Sequence, residues 1–161
     1  SPQIIGILSW AAAALAMLAR RDYSRAVLAQ RLARKGYGSQ IVAVVCERCA
    51  KAGYLDDRRF GRARLEARLE RRPCGRSDAF DDLRRQGLAV TMCEKVVDES
   101  FAAMGGEKVI LESAMNHWQA RHGEPVGLAS AKRCFDHLMR RRFPRYLVLQ
   151  VLSPWLDSLA D

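Results

Sequence analysis

The segment LARKGYGSQI (32–41) returns 51 positions later as LRRQGLAVTM (83–92), with Leu32, Gly36, Tyr37 and Ile41 answered by Leu83, Gly87, Leu88 and Met92. Each copy reads as a helix end, a glycine stop and the start of a new helix, because glycine just past a helix adopts the left-handed backbone at no steric cost. A weaker third copy follows 55 positions further on, where Phe135, Leu138, Phe143 and Leu147 answer Phe80, Leu83, Leu88 and Met92. Arg142 replaces the glycine in that copy, which predicts a different route for the third turn. A period near 50 with three helices per period describes a helical array in which each unit buries its apolar face against its neighbours. The expected fold is all-α: three tandem three-helix repeats forming a short curved array, with units at 1–53, 54–105 and 106–161, the last degenerate.

Working outward from the repeat, start and stop signals mark nine helices. Ser9, Ser24 and Ser39 are read as N-caps of the first three, with Gly36 and Gly53 as stops. Ile41, Val44, Val45, Cys49 and Ala52 are expected on the inner face of the third helix. Asp56 caps the fourth helix, and Leu55 and Phe60 occupy the two positions of a hydrophobic staple. Thr91 with Glu94 three residues later forms the pattern of a capping box for the sixth. Pro144 suits the first position of the ninth. Ser153-Pro154 is expected to end that pattern, leaving the last residues to fray or form one more turn.

Composition agrees. Of 161 residues, 23 are Ala, 18 Leu and 22 Arg, all strong helix formers, while a single Thr (Thr91) is too little for a sheet protein. Hydrophobic residues make up 49%, enough for a real core. The five cysteines, Cys46, Cys49, Cys74, Cys93 and Cys134, are odd in number on a chain that can dispense with disulfides, which points to a reducing compartment. Cys46-x-x-Cys49 has no second pair to complete a zinc site, and Cys49 falls on an apolar helix face, so no metal is expected. The apolar run Ile4–Ala19 is short of the ~20 residues a membrane helix needs and lacks a basic leader, so a cytoplasmic chain is expected. Ser1 reads as a scar or truncation point, with upstream residues missing.

Charge carries the functional signal. The net charge is +9, which calls for an acidic partner, nucleic acid or an acidic protein face. From Arg58 to Arg76 eight arginines face only Glu66 and Glu70, while from Asp78 to Glu99 six acids face only three bases. On the fourth helix Arg64, Arg68, Arg71 and Arg72 share one arc without a carboxylate three or four residues away. That arc lies between Phe60, Ala63 and Ala67 on one side and Leu65 and Leu69 on the other, as for a helix layered within an array. Either the ridge meets a partner, or acids of another helix such as Asp81 or Asp82 neutralise it. Arg76 extends it, and a second cluster, Arg140, Arg141, Arg142 and Arg145, is interleaved with Phe143 and Tyr146. Phe143 is expected in the core and Tyr146 outside. These nine arginines are the candidate surface for an acidic protein face or for DNA phosphate.

Enzyme signals are poor. No Walker loop, nucleophile elbow or zincin motif is present, Gly105-Gly106-Glu107-Lys108 is a turn before a helix, and His117, His122 and His137 lack metal-ligand spacing. His117, beside Trp118, is read as a helix-surface residue. Asp56-Asp57 is accounted for as a cap plus favourable charge at a helix start. No catalytic residues and no cofactor are expected.

Several stretches resemble the RecX regulatory family. They are Leu15-x-x-Leu18-Ala19-Arg20-Arg21-x-x-Ser24, Leu28-x-x-Arg31-Leu32-x-x-Lys35-Gly36, Gly53-Tyr54-Leu55-Asp56-Asp57-x-x-Phe60, Gly75 and Asp82-Leu83-Arg84-Arg85-Gln86-Gly87-Leu88. The likeness covers Leu15 to Phe101, with Val27, Asp82 and Gln86 as departures read as exposed. The resemblance implies a small bacterial cytoplasmic protein of three-helix repeats that binds the RecA filament on DNA and inhibits it. It implies a place in homologous recombination, DNA repair and the SOS response, with no enzyme activity and no cofactor. A weak direct hold on DNA, no membrane and a monomeric state complete the expectation; a basic helical module acting directly on DNA is the competing reading.

Overall fold

The computed structural model describes residues 2–158, with side chains from Ser9 onward, and those residues form helices and turns without a strand. The helices are α1 (Pro2–Arg20), α2 (Arg25–Arg34), α3 (Ser39–Lys51), α4 (Asp57–Arg71), α5 (Arg76–Arg85), α6 (Val90–Ala103), α7 (Glu107–His122), α8 (Leu128–Arg140) and α9 (Arg145–Ser158). They pack in threes: within α1–α3, α4–α6 and α7–α9 every helix touches the other two. One apolar core lies under α1–α3, built on Trp10, Leu28, Leu32 and Val45 and closed by Leu55. A second, continuous core runs from Phe60 through Leu83, Phe101 and Trp118 to Leu152 and is shared by α4–α9. All five cysteines are buried and unpaired within these cores. Among the described residues no helix is long and apolar enough to cross a membrane, and no group of acids, histidines and cysteines is placed to hold a metal ion.

The units join by one contact made twice. Ser24, fully buried, caps α2 by accepting from the Val27 amide (3.2 Å), and its hydroxyl donates to the carbonyl of Gln86, the C-cap of α5 (2.5 Å). Beside it the Arg25 amide donates to the Asp57 carboxylate at the start of α4 (2.8 Å). Fifty-one residues later Gly75, the N-cap of α5, donates its amide to the carbonyl of Arg141, the C-cap of α8 (2.8 Å), and the Arg76 amide reaches the Glu107 carboxylate at the start of α7 (3.3 Å). So α8, α5 and α2 lie head to tail, the C-terminus of α8 on the N-terminus of α5 and the C-terminus of α5 on the N-terminus of α2. Orphan amides meet orphan carbonyls and carboxylates there, the pairing that helix dipoles favour. The approach is close: a Cβ on Gly75 would collide with the Arg142 carbonyl, and one on Gly87 would lie 2.5 Å from the Ala26 Cβ.

Several local expectations need correction. The third turn follows the same route as its predecessors: Arg142 takes φ +63°, beside +94° at Gly36 and +85° at Gly87, and closes the same backbone bonds to Met139 and Leu138. A left-handed arginine costs ~1–2 kcal/mol; its contact with Gly75 and its 2.5 Å bond to Asp81 oppose that cost. Ser9 does not cap α1 but lies within it. Thr91 and Glu94 form no capping box, because α6 begins at Val90 straight out of the glycine turn and Thr91 is already inside it. Gly38, not Ser39, caps α3, whose buried face is Val42, Val45, Cys46 and Cys49 with Val44 exposed. Pro154 does not end α9: the carbonyl of Gln150, deprived of its helical donor by the proline, accepts from the Ser153 hydroxyl at 2.8 Å, and the helix runs on to Ser158. The expectation for the final residues falls on 159–161, outside the described part. Ala63 and Ala67 are exposed, so of the three residues expected on that side of α4 only Phe60 is buried, and the helix packs mainly through Gly61, Leu65 and Leu69. Leu55 and Phe60 are both buried but in different cores, so they do not form a staple.

Two measurements check this account. Leu55→Ala and Phe60→Ala should each cost a few kcal/mol in denaturant titration, ~2–5 kcal/mol for such truncations. Their double mutant should be additive within ~0.5 kcal/mol, because the two side chains share no core. A staple would instead couple them. Gly75→Ala should cost about 3 kcal/mol or more by forcing backbone apart. Ser24→Ala at the equivalent place has room for its Cβ and should cost ~1–2 kcal/mol through the lost cap and hydrogen bond. Equal losses would show that the second junction is no tighter than the first.

Candidate functional site

The nine candidate arginines divide into those the fold neutralises and those it leaves free. Asp82 on α5, only 3% exposed, receives Arg64 through two bonds (2.8 and 3.1 Å) and lies 3.1 Å from Arg68. Asp78, one turn earlier, takes Arg68 at 2.9 Å. Burial pushes the Asp82 carboxyl up, but the bonds from Arg64 and the charges of Arg64, Arg68 and Arg85 outweigh it and hold the group below its ordinary value. Asp82 is therefore the buried centre of an ion-pair cluster, not an exposed departure as its sequence context suggested. Arg76 pairs with Asp98 and lies over the Phe101 ring, and Arg142 pairs with Asp81. The remaining five, Arg71, Arg72, Arg140, Arg141 and Arg145, have no carboxylate partner among the described residues. Arg145 stacks on Phe135, while Tyr146 is exposed and Phe143 buried, as expected from sequence.

Arg71, Arg72 and Arg141, distant in sequence, meet at one cleft. It is about 740 Å³ and lies between the end of α4, α7 and the end of α8. Arg121 and the three histidines, His117, His122 and His137, join them over a floor of Pro73, Ala114 and Trp118, and among the described residues no carboxylate lines it. The histidines and Arg121 were missed as a group because they sit singly along the chain, with no spacing that announces a site. His117 is exposed on α7, as its sequence position suggested, yet it borders this cleft. A smaller cleft of about 330 Å³ occupies the equivalent position between the first two units, lined by Asp22, Phe60, Ala63, Arg64, Ala67, Arg68 and Arg71. The signal that could have found the larger one is the repeat itself: at an offset of 55, Asp78 and Asp82 become Arg133 and His137.

The comparisons with known proteins bear on what this arrangement serves. The family described as "RecX, first three-helix domain" matches residues 12–49. A protein of Halorhodospira halophila named regulatory protein RecX is 34% identical over 131 residues, 81% of this chain and 78% of its own. The chain belongs to the RecX family. The regulatory protein RecX of Syntrophotalea carbinolica is 28% identical over 90% of this chain and 94% of its own. The crystal structure of RecX from Lactobacillus salivarius superposes with a TM-score of 0.77 over 92% of this chain and 96% of its own, at 11% identity, so the RecX fold persists where little sequence does.

Within this RecX chain the stretch Gly53–Phe60, prominent in the resemblance, is structural. Gly53 makes the left-handed turn (φ +82°), Leu55 closes the first core, Asp56 caps α4 through the Arg59 amide (3.1 Å), and Asp57 receives the Arg25 amide. These residues join units one and two, and the candidate surface lies elsewhere.

Asp82→Asn should destabilise the protein by ~1.5–3 kcal/mol near neutral pH, the range for hydrogen bonds to charged groups. A carboxyl held below its unfolded value contributes stability that is present above that value and lost as pH falls through the folded one. The difference between wild type and Asp82→Asn in denaturant titration should thus be constant from pH 7 to 5 and shrink only below about pH 4. A difference that faded between pH 7 and 5 would show that another group carries the cluster.

Proposed function

We propose that this chain regulates the RecA–DNA filament, binding it and inhibiting its ATPase and strand exchange without chemistry of its own. Membership of the RecX family is the observation that carries the reading, because its relatives are named regulatory proteins. The geometry supports it. The free arginines, Arg71, Arg72, Arg140, Arg141 and Arg145, supply attraction for an acidic protein face or DNA phosphate. Arg64, Arg68, Arg76 and Arg142 are already engaged by carboxylates within the fold. Helices of ~20 Å at 1.5 Å per residue, set end to end in units 1–53, 54–105 and 106–161, give an array long enough to touch more than one filament subunit. Lodged in the filament groove or at its growing end, a monomer in the cytoplasm would obstruct the movements that ATP turnover needs or block extension. On this reading the protein acts in recombination, repair and the SOS response.

A second reading, direct action on DNA, is favoured by the same unpaired arginines. Salt dependence separates the two, since affinity gained from phosphate contacts falls steeply with salt. RecA ATPase on single-stranded DNA should decrease as the protein is added, and Arg71→Ala with Arg72→Ala should weaken that effect while stability changes by less than ~0.5 kcal/mol per exposed site. No change in ATPase at large excess would overturn the filament reading. Bare DNA bound as tightly as RecA-coated DNA at physiological salt would favour the direct one.

A further inference from the structure

We propose that the cleft between units two and three holds a segment of single-stranded nucleic acid, its phosphates on Arg71, Arg72, Arg121 and Arg141 and a base on the ring of His122, with a grip that tightens as the cleft takes up protons. The proposal rests on the reading above, in which the protein works on a filament that contains DNA, and it assigns the surface that meets the strand.

The first ground is a reversal of charge at equivalent places in the fold. In unit two, Asp78 and Asp82 on the middle helix neutralise arginines of the helix before it. In unit three the corresponding positions of α8 carry Arg133 and His137. The larger cleft contains four arginines and three histidines and, among the described residues, no lining carboxylate, whereas the smaller one contains Asp22 and, beside Arg71, the paired Arg64 and Arg68. Like charges gathered without internal compensation are unfavourable in the free protein and are relieved by an anionic ligand.

The second ground is the setting of His122. Its ring stacks on Trp118, centroids 4.6 Å apart with 22° between planes, and its Nδ1 lies 3.0 Å from the Trp118 carbonyl. That bond requires the proton on Nδ1, so in the neutral ring Nε2 is an acceptor, and only the protonated ring can donate to phosphate from Nε2. The imidazole is exposed while the indole beneath it is buried, which leaves an aromatic platform at the cleft of the kind that stacks unpaired bases. An acidic peptide would use the charge and leave the platform idle, so the nucleic acid is the better fit.

Proton linkage follows from the same geometry. Burial first, then the charges of Arg140 on its own helix, His122 and Arg121 on α7 and Arg72 at the end of α4, hold His137 below its ordinary value. A bound phosphate opposes those charges and favours the protonated ring. Binding therefore takes up protons and strengthens as pH falls through the histidine range.

The test is fluorescence anisotropy of a labelled oligo-dT with the full chain, without recombinase, across salt at pH 7.5 and 6.0. Wild type should bind about tenfold more tightly at pH 6.0. Arg121→Ala should weaken binding at both pH values and lower the salt slope by about 1. His137→Asp, which restores the unit-two charge, should abolish most binding, and His122→Ala should remove part of the affinity. Arg34→Ala, at an exposed position of α2, should leave it unchanged. Should His137→Asp not fold, as judged by circular dichroism, the exposed Arg121→Ala and His122→Ala carry the test. Binding indifferent to pH or to the cleft variants would overturn the proposal. Displacement of oligo-dT by poly-glutamate at equal charge would also overturn it, by showing an acidic-peptide site. Normal cleft behaviour with no effect on RecA ATPase would sink the filament reading but keep the cleft. Inhibition of RecA by wild type with an inert cleft would do the reverse.

Discussion

The contact on which the array depends is the seating of one helix N-terminus on the C-cap carbonyl of the corresponding helix in the next unit. At Ser24–Gln86 and at Gly75–Arg141 buried or half-buried polar groups find one another where water is excluded, and each pair is accompanied by a carboxylate, Asp57 or Glu107, on the neighbouring amide. A buried amide or carbonyl left unpaired costs ~1–3 kcal/mol, several times the ~0.5–1.5 kcal/mol net gain of an ordinary hydrogen bond. The junction thus acts chiefly by exclusion: a displaced neighbouring unit strands several backbone groups at once. This gives direction to the stacking, which apolar burial alone would not, because a hydrophobic face accepts many orientations.

The same architecture has been filled with opposite charge in successive units. In unit two the middle helix carries Asp78 and Asp82, and half of the arginine ridge on α4 becomes a cross-link between α4 and α5. In unit three the middle helix carries Arg133 and His137, and Arg121, His117 and His122 of α7 have no carboxylate partner among the described residues. Ion pairing and free charge are alternatives at one position of the repeat, and the choice is made by two side chains on one helix face.

How much of this was legible in the sequence follows from the range of each interaction. The helices and their stops were readable, because a cap such as Asp56 and a left-handed glycine such as Gly87 act within a few residues. Leu83, Gly87 and Leu88 revealed the repeat for the same reason. The misplaced caps at Ser9, Ser39 and Thr91 are local, since several residues near a helix start can satisfy the same signal; the larger failures involve partners distant in sequence or a substitute for a local signal. Arg142 in the left-handed region is supported by Gly75 and Asp81, more than 60 residues away, and Pro154 is tolerated because Ser153 takes over a stranded carbonyl. Asp82 looked like an exposed acid until α4 was laid across it. The cleft joins residues from positions 71 to 141 and leaves no local trace, although the repeat already contained the substitution of Asp82 by His137.

Junction and candidate surface also share atoms. Arg141 gives its carbonyl to Gly75 and its side chain to the cleft wall, and Pro73, two residues before Gly75, forms part of the floor. Arg142, next in the chain, turns its own guanidinium away to Asp81. Of the three consecutive arginines 140–142, one anchors a turn, one lines the cleft and one is exposed without a carboxylate partner, so a run that reads as a single basic patch is divided by the left-handed turn within it. The free arginines are therefore not interchangeable positive charge. Their spacing depends on the head-to-tail contact of α5 and α8 together with the core that α4–α9 share, and a change that loosens Gly75 acts on Arg71, Arg72 and Arg141 together, because the two sides of the cleft belong to different units joined there.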